Sequence, residues 1–593
     1  MQVRILDFET DIATQEVICV QWRDPEGQIQ IENRPEEIRR VVAESIDAGF
    51  VAHWAPFEAA RIAEMFGLSR ADILALFQAR KIVCSNAAAK LYDIRTAGEM
   101  RESYSLGALT GKDSDDPWRL RYGELRGVDL ANWPIEALVY CAHDIECTEQ
   151  VWQWAAPRGE VQWSVLADAG ADAYALQCVA SPGPCIDPDR VDRLIAESTE
   201  QVVVLASAMP EFFEPRSKKD PTPKRKMKAI QAYAETHGIT DRTAPTKAHP
   251  SGQVRTAEDV LRESDDIKLQ AYAAWLGIVA VRDRLAKRYQ GTHIATRYNM
   301  LATGRAASAG IAKVVESDNL TTMPRRSQMR NVIYAPPGYL LCICDFAQLE
   351  VATFADVCHR KWPPSELTRI LRNGIDFHSL TGSALLGCRY DDFRAGLKAE
   401  NGSGHYTDTR QLCKVPNFGG PGFMGAAALQ SATWRDAEVR LTLAQCKALL
   451  AAWKRTDPDH IPFFAEAQAA MHTGGVVTLP SGFQRKCDRV GNYCNTQFQG
   501  WGARIALTSL QKVLAAGFDA RIFAHDEIVS LIPDDDHSTE RAIHMAEIME
   551  GAGRELLSHD GPPLRVEPVL ARRWDKGAKS KMVGGKLTVW DRA

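Results

Sequence analysis

The chain has 593 residues, too many for one ordinary hydrophobic core, and its length leads us to expect roughly three to five compact units. Hydrophobic residues at 45% and charged residues at 25% exclude a disordered or fibrous chain, and a formal charge of -5 excludes a uniformly cationic surface while leaving room for local basic patches. No apolar run approaches a bilayer-spanning length, no secretory signal opens the sequence and the 14 cysteines form no Cys-x-x-Cys pair, so free thiols in a reducing cytoplasm are expected.

Taken in chain order, the first strand, 3–8, ends in Asp7-Phe8-Glu9-Thr10. An Asp-x-Glu triplet at a strand end is common by chance. Two later segments add to it: Ala52-His-Trp-Ala-Pro-Phe-Glu58, and Tyr140-Cys-Ala-His-Asp144, whose Tyr140 and Asp144 fall one helical turn apart on one face. Between about 152 and 301 the periodicity predicts long amphipathic helices, including 189–209 and 266–289, separated by a loop rich in Pro, Lys and Ser at 210–225. Thr256 is the expected N-cap of a further helix. Segment 216–228 holds seven basic residues and one acidic residue, and 572–586 is also basic; each is either a solvated loop or a nucleic-acid contact.

Further on, an apolar strand-like run, 339–345, ends at Asp345 and gives way to a helix-like run. In Arg410-Gln-Leu-Cys-Lys-Val-Pro-Asn-Phe418-Gly, the residues Arg410, Lys414 and Phe418 recur every four positions and line one helix face. Two cations and a ring suit a nucleotide, with guanidinium and ammonium on the triphosphate and the ring near base and sugar. Asp526, in Ala524-His-Asp-Glu-Ile528, lies at a turn between the apolar runs 521–523 and 528–532. One carboxylate at a strand end and another at a hairpin turn can share a pair of divalent cations, as in-line phosphoryl transfer requires. A solvated basic helix and two strand-end acids explain each residue singly, but not their joint placement.

On these residues the chain resembles the family A DNA polymerases, the class of bacterial DNA polymerase I and many phage replicases. Asp345 to Glu350 is similar to the family's motif A, Arg410 to Gly419 to motif B and His525 to Glu527 to motif C. Thr303-Gly304-Arg305, Asn319-Leu320, Gly374-Ile-Asp-Phe-His378, the block 478–485 and Asn495-Thr-Gln-Phe-Gln499-Gly500 look like its other recurring blocks, in the family's order. The resemblance implies a multidomain α/β and α+β fold. An RNase H-like 3'-5' exonuclease domain (1–155) would be followed by a right-hand polymerase: thumb (156–301), palm (302–358), fingers (359–473) and a second palm segment (474–593). With Asp7 already in the exonuclease, the family's separate 5' nuclease has no room, as in compact phage enzymes.

Carried over residue by residue, the resemblance makes Asp345 and Asp526 ligands of two Mg2+ ions, with Mn2+ as a substitute. It gives the nucleotide to Arg410, Lys414, Phe418, His378, Gln348 and Glu350, with Lys414 as proton donor to the leaving group and Glu350 as the block to a ribose 2' hydroxyl. Arg305, Asn495, Gln499 and His525 would touch primer-template DNA. In the exonuclease, Asp7, Glu9, Glu58 and Asp144 would bind two metals and Tyr140 would orient the attacking water. The implied partners are primer-template DNA and deoxynucleoside triphosphates, with the protein acting as a monomer in the cytoplasm.

Three positions depart from the family. Glu58 stands where Asp is usual, and Trp54 where Asn is usual. After Phe418, Gly419-Gly-Pro-Gly-Phe423 replaces a helix that would reach a tyrosine, so the helix is expected to end or kink near Phe418, with the glycines acting as a hinge and Phe423 beside the templating base. Two other readings are a single-subunit RNA polymerase, which Glu350 and the exonuclease half argue against, and a DNA-binding protein with inactive sites, which both carboxylate sets argue against.

Overall fold

The computed structural model describes residues 4–112, 116–214, 223–246, 249–311, 314, 316–323, 328–437 and 439–591. The first unit is built on a five-stranded sheet in the order Ile29–Glu32, Val17–Arg23, Arg4–Thr10, Phe50–Ala52, Ile82–Cys84. Its first three strands are antiparallel neighbours, and the last two run parallel to the central Arg4–Thr10 strand. Phe50–Ala52 and Ile82–Cys84 are fully buried, as continuous apolar runs in a covered parallel sheet should be. A register shift follows Glu9, a bulge that bends the strand at its acidic end. The Ile135–Ala155 helix packs on this sheet and carries Tyr140 and Asp144.

The helix Glu160–Ala180, inside the stretch expected to be thumb, packs into the core of the first unit. Its Leu166, Tyr174, Leu176 and Val179 are buried in the core shared by the first sheet and the palm. Gly170 permits the contact, since a Cβ there would lie 2.8 Å from Phe77. The thumb-like pair is Pro188–Ser207 with Ile267–Arg288, around Phe212, Phe213, Tyr272 and Trp275. Asp187 and Asp266 cap these helices, accepting hydrogen bonds from the Arg190 and Leu269 amides. The expected Thr256 cap is not made: the short helix Glu258–Arg262 starts one position later, at Ala257, without a side-chain cap. Within the basic run at 216–228, residues 216–222 lie outside the described residues.

A second five-stranded sheet, at the place of the expected palm, runs Asp519–Ala524, Glu527–Pro533, Tyr339–Phe346, Val566–Ala571, Val589–Trp590. Side chains alternate across it. Leu340, Cys342 and Cys344 join the main core under the long helix Val490–Ala515 and the helix Ser538–Leu556, whereas Leu341 and Ile343 face Val529, Leu531 and Trp574. Asp345 continues that second face and stands in register with Glu527 on one side and Glu567 on the other. An all-helical insertion between Glu366 and His472, which includes His405–Gly419, forms the fingers-like lobe.

The palm is tied to its helices by one buried carboxylate. Asp356, 0% exposed, accepts from Arg360 Nε (2.8 Å), Trp501 Nε1 (2.9 Å) and the Ser558 amide (2.8 Å). Asp356→Ala strands three donors and should cost about 3 kcal/mol of stability. A urea-unfolding midpoint equal to that of the unsubstituted chain would contradict this.

Candidate active sites

In the palm, the two-residue turn His525-Asp526 joins Asp519–Ala524 to Glu527–Pro533, with His525 at φ 63 to let the chain reverse. The strand register sets Glu527 opposite Asp345, and Asp526 follows at the tip. Burial, and then the charge of Asp345, push Asp526 up to about 7, with Lys576 pulling the other way. The Lys576 ammonium lies 2.6 Å from Asp345 Oδ2 and 3.5 Å from Glu527 Oε2. Glu527 is fixed from behind by Trp574 Nε1 at 2.8 Å, consistent with a supporting role. Asp345 Oδ1 is buried without a hydrogen-bond partner. A repelling carboxylate pair with an orphaned oxygen fits a divalent cation.

Gln348 takes a left-handed conformation (φ 60, ψ 40) as the chain turns into the Leu349–Lys361 helix, and its Oε1 is also buried and unpartnered. Glu350, in the first turn of that helix, pairs with Arg305. Arg305 is presented by the turn between Arg297–Met300 and Ala306–Ala309, and it lines a small pocket with His525 and Phe523. Asn495 and Gln499 are half-buried, one turn apart on the Val490–Ala515 helix.

The Arg410, Lys414 and Phe418 face forms within His405–Gly419 as expected. Arg410 Nε donates to Asp376 Oδ2 at 2.6 Å. Burial would raise Asp376, but Arg410 and the Ser379 hydroxyl hold it down to about 2. Burial, and then Arg410, lower the Lys414 ammonium below its ordinary value, and Lys579 adds to the effect. His378 is 2% exposed and its ring lies 5.3 Å from Phe418. The Asn417 amide is oriented by Thr381 Oγ1, which donates to its Oδ1 at 3.0 Å, so Asn417 Nδ2 donates to His378 Nδ1 at 2.9 Å. The hydrogen of neutral His378 therefore sits on Nε2.

The motif B helix passes Pro416, ends at Gly419 and gives way to a 3-10 turn, Gly420–Gly422, within a residue of the expected break. The glycines serve close packing more than backbone freedom. Gly419 and Gly420 are right-handed helical, and a Cβ on Gly420 would lie 2.7 Å from the Trp453 ring. Gly422 lets Asn495 Oδ1 approach to 2.4 Å of where a Cβ would stand. Phe423 takes φ 64, is 42% exposed and sits edge-on to Phe464.

In the N-terminal unit, ligand atoms of Asp7, Glu9 and Asp144 lie within 4.8 Å of one another. Gln21 Nε2 bridges Asp7 and Glu9, at 2.7 and 3.1 Å. Glu58, 2% exposed, shares a hydrogen bond with Asp7 and keeps Oε2 without a partner, so the longer side chain does reach the cluster. Burial, and then Asp144, push Asp7 up to about 7; burial, and then Asp7, push Glu9 and Glu58 well above the carboxylate range. The Lys112 ammonium pairs with Asp144 and lies 3.6 Å from the Tyr140 ring centre. These carboxylates also fit divalent cations. Trp54, stacked by Lys90 at 5.3 Å, lines a cavity of about 220 Å³ that reaches Tyr298 and Arg305.

Lys112, Gln21 and Asp376 were not singled out from sequence. Asp376 alone carried a signal, since it lies inside the Gly374 to His378 block.

No protein-family model matches the chain. Over 363 residues, 55% of this chain, it is 26% identical to the DNA polymerase I of Pseudomonas aeruginosa; the match covers 36% of that protein, so the chain spans about a third of the relative's length. Among solved structures, the POL domain of Pol1 from M. smegmatis, in complex with DNA primer-template and dNTP, matches with a TM-score of 0.67 over 97% of this chain and 95% of that chain, at 17% identity. The chain carries the fold of that DNA polymerase domain. That bears out the resemblance drawn from the motifs and the mixed α/β multidomain architecture. Among the described residues, no helix of this polymerase fold is long and apolar enough to cross a membrane.

Burial lowers His378 to about 4. The unfolded chain, whose histidine titrates near 6.5, then binds the proton more readily, so this group contributes stability above about pH 6.5 that is lost as pH falls towards 4. An NMR titration should find the His378 ring neutral at pH 6; a midpoint at or above 6 would contradict its buried setting.

Proposed function

We propose that the chain is a template-directed DNA polymerase using deoxynucleoside triphosphates, with a 3'-5' exonuclease in its N-terminal unit. The observation that carries the polymerase reading is the meeting of Asp345 and Asp526 at adjoining strand ends, with a buried oxygen of Asp345 left unpartnered. Asp345 and Asp526 would hold Mg2+, or Mn2+, which when bound supplies activation of the primer hydroxyl and neutralises charge on the phosphates.

The chain's own groups do the rest. Arg410 and Lys414 bind the triphosphate from the fingers-like lobe, Arg410 being aimed by Asp376. Lys414 donates a proton to the departing pyrophosphate, and its lowered pKa makes it the better acid. His378, neutral with hydrogen on Nε2, donates a hydrogen bond to a phosphate oxygen rather than a charge. Phe418 stacks near base and sugar, and Gln348 contacts the nucleotide at the turn into its helix. Glu350, held by Arg305, fills the space of a 2' hydroxyl. Arg305, Asn495, Gln499 and His525 touch the minor-groove side of the primer-template, where acceptors are nearly the same for every correct pair. The pair Pro188–Ser207 and Ile267–Arg288 grips the duplex.

In the exonuclease, Asp7, Glu9, Glu58 and Asp144 would hold the cations, and Tyr140 orients the attacking water. The hydrogen bond between Asp7 and Glu58 keeps the two carboxyls together at the place where they would hold a cation. Trp54 offers a ring for the frayed primer end where the family has an amide.

Asp345→Ala or Asp526→Ala should abolish extension of a labelled primer-template while sparing degradation of single strands, and Asp7→Ala or Asp144→Ala should do the reverse. Near-normal extension by either palm variant would refute the polymerase site; no removal of a mismatched 3' nucleotide by the unsubstituted chain, with Mg2+ or Mn2+, would refute proofreading. Glu350→Ala should reduce the preference for deoxy over ribo substrates by about ten-fold in kcat/KM. An unchanged ratio would remove Glu350 from sugar selection.

A further inference from the structure

The basic segment 572–586 is anchored on the palm. Strand Val589–Trp590 pairs in parallel with Val566–Ala571, closing the residues between them into a loop fixed at both ends. Inside the loop, the Lys581 amide donates to Thr588 Oγ1 and the Thr588 amide to the Lys581 carbonyl, each at 2.9 Å. Ser580 Oγ accepts from the Leu570 amide at 2.9 Å, and Asp575 Oδ1 from the Gly577 amide at 2.6 Å. This backbone holds Lys576 Nζ 2.6 Å from Asp345 Oδ2 and 3.5 Å from Glu527 Oε2. It also brings the Lys579 charge close enough to act on Lys414, in the fingers-like lobe. One short loop thus seats a cation on the metal-type carboxylates and carries a second, exposed one three residues on.

We propose that Lys576, with Lys579 beside it, binds nucleotide phosphate: Lys576 neutralises the palm carboxylates while no cation is bound, then leaves them for the triphosphate and the pyrophosphate. The inference rests on the polymerase reading above. A lysine ammonium is a compact charge on a flexible stem, and the Lys576 side chain is 39% exposed, so it has room to swing. With cations held by Asp345 and Asp526, the Lys576 ammonium would lose Asp345 as its partner and be free to pair with another anion. The nearest new anion is the phosphate chain, already held by Arg410 and Lys414. The backbone of the loop need not move.

The test uses the full chain, with thermal melts confirming that each variant folds. Free Mn2+ is followed by electron paramagnetic resonance during titration, and extension and pyrophosphorolysis are measured separately. Lys576→Ala should bind Mn2+ several-fold more tightly, having lost its resident competitor, and should raise KM for both deoxynucleotide and pyrophosphate by about ten-fold. Lys576→Arg should stay near the unsubstituted values, and Lys579→Ala should raise KM without tightening Mn2+ binding. If Lys576 only holds Asp345 in place, Lys576→Ala will weaken Mn2+ binding and lower kcat at unchanged KM, which overturns the proposal; so does a variant indistinguishable from the unsubstituted chain. Failure of the unsubstituted chain to extend any primer sinks the polymerase reading instead, and the Mn2+ comparison still decides whether Lys576 competes with cations.

Discussion

Carboxylates crowded where water is scarce set the constraint on which the rest of this molecule depends. In the palm, Asp345, Asp526 and Glu527 converge at the ends of adjoining strands; in the first unit, Asp7, Glu9, Glu58 and Asp144 do so between a sheet and two helices. Burial and mutual repulsion raise Asp526 and Asp7 to about 7, so neither cluster ionises fully near neutral pH without a cation. Each cluster holds a lysine instead, Lys576 in one and Lys112 in the other. Holding like charges this close costs stability, and the surrounding fold has to offset it.

The offset is visible in how the clusters are supported. Trp574 fixes Glu527, Gln21 bridges Asp7 to Glu9, and the strand register leaves Asp345 no choice of neighbour. The helix Val490–Ala515 crosses behind the palm with Gly500 packed where a Cβ would lie 2.8 Å from the Thr303 carbonyl, which brings the Arg305 turn close to it. The helix Glu160–Ala180 joins the first sheet to the palm in one core. Rigid supports on both sides of a strained charge cluster are what a preorganised phosphoryl-transfer site needs.

The sequence revealed what is local and periodic. The apolar run before Asp345, the two-residue turn at Asp526 and the four-residue spacing of Arg410, Lys414 and Phe418 each carry their signal within a few residues, and each forms as read. Contacts that depend on distant chain did not show. Lys576 and Asp345 are 231 positions apart, and Lys112 and Asp144 are 32 apart, with no motif joining either pair. The 160–180 helix lies in a stretch expected to hold amphipathic helices, but it is apolar on most sides, and periodicity cannot say which neighbour covers it. Gly419 and Gly420 read as sources of flexibility because sequence shows a missing side chain; the Trp453 ring that needs the space at Gly420 is supplied by another helix, and Met424 fills the space at Gly419.

Whether Asp345 and Asp526 hold the cations for nucleotide addition can be read from anomalous X-ray scattering by Mn2+ in crystals of the chain with a dideoxy-terminated primer-template and the next nucleotide. Anomalous peaks should stand between Asp345 and Asp526, with the Lys576 ammonium drawn off Asp345 towards the phosphates. A bound nucleotide with no peak at those carboxylates, and Lys576 still seated on Asp345, would contradict this assignment.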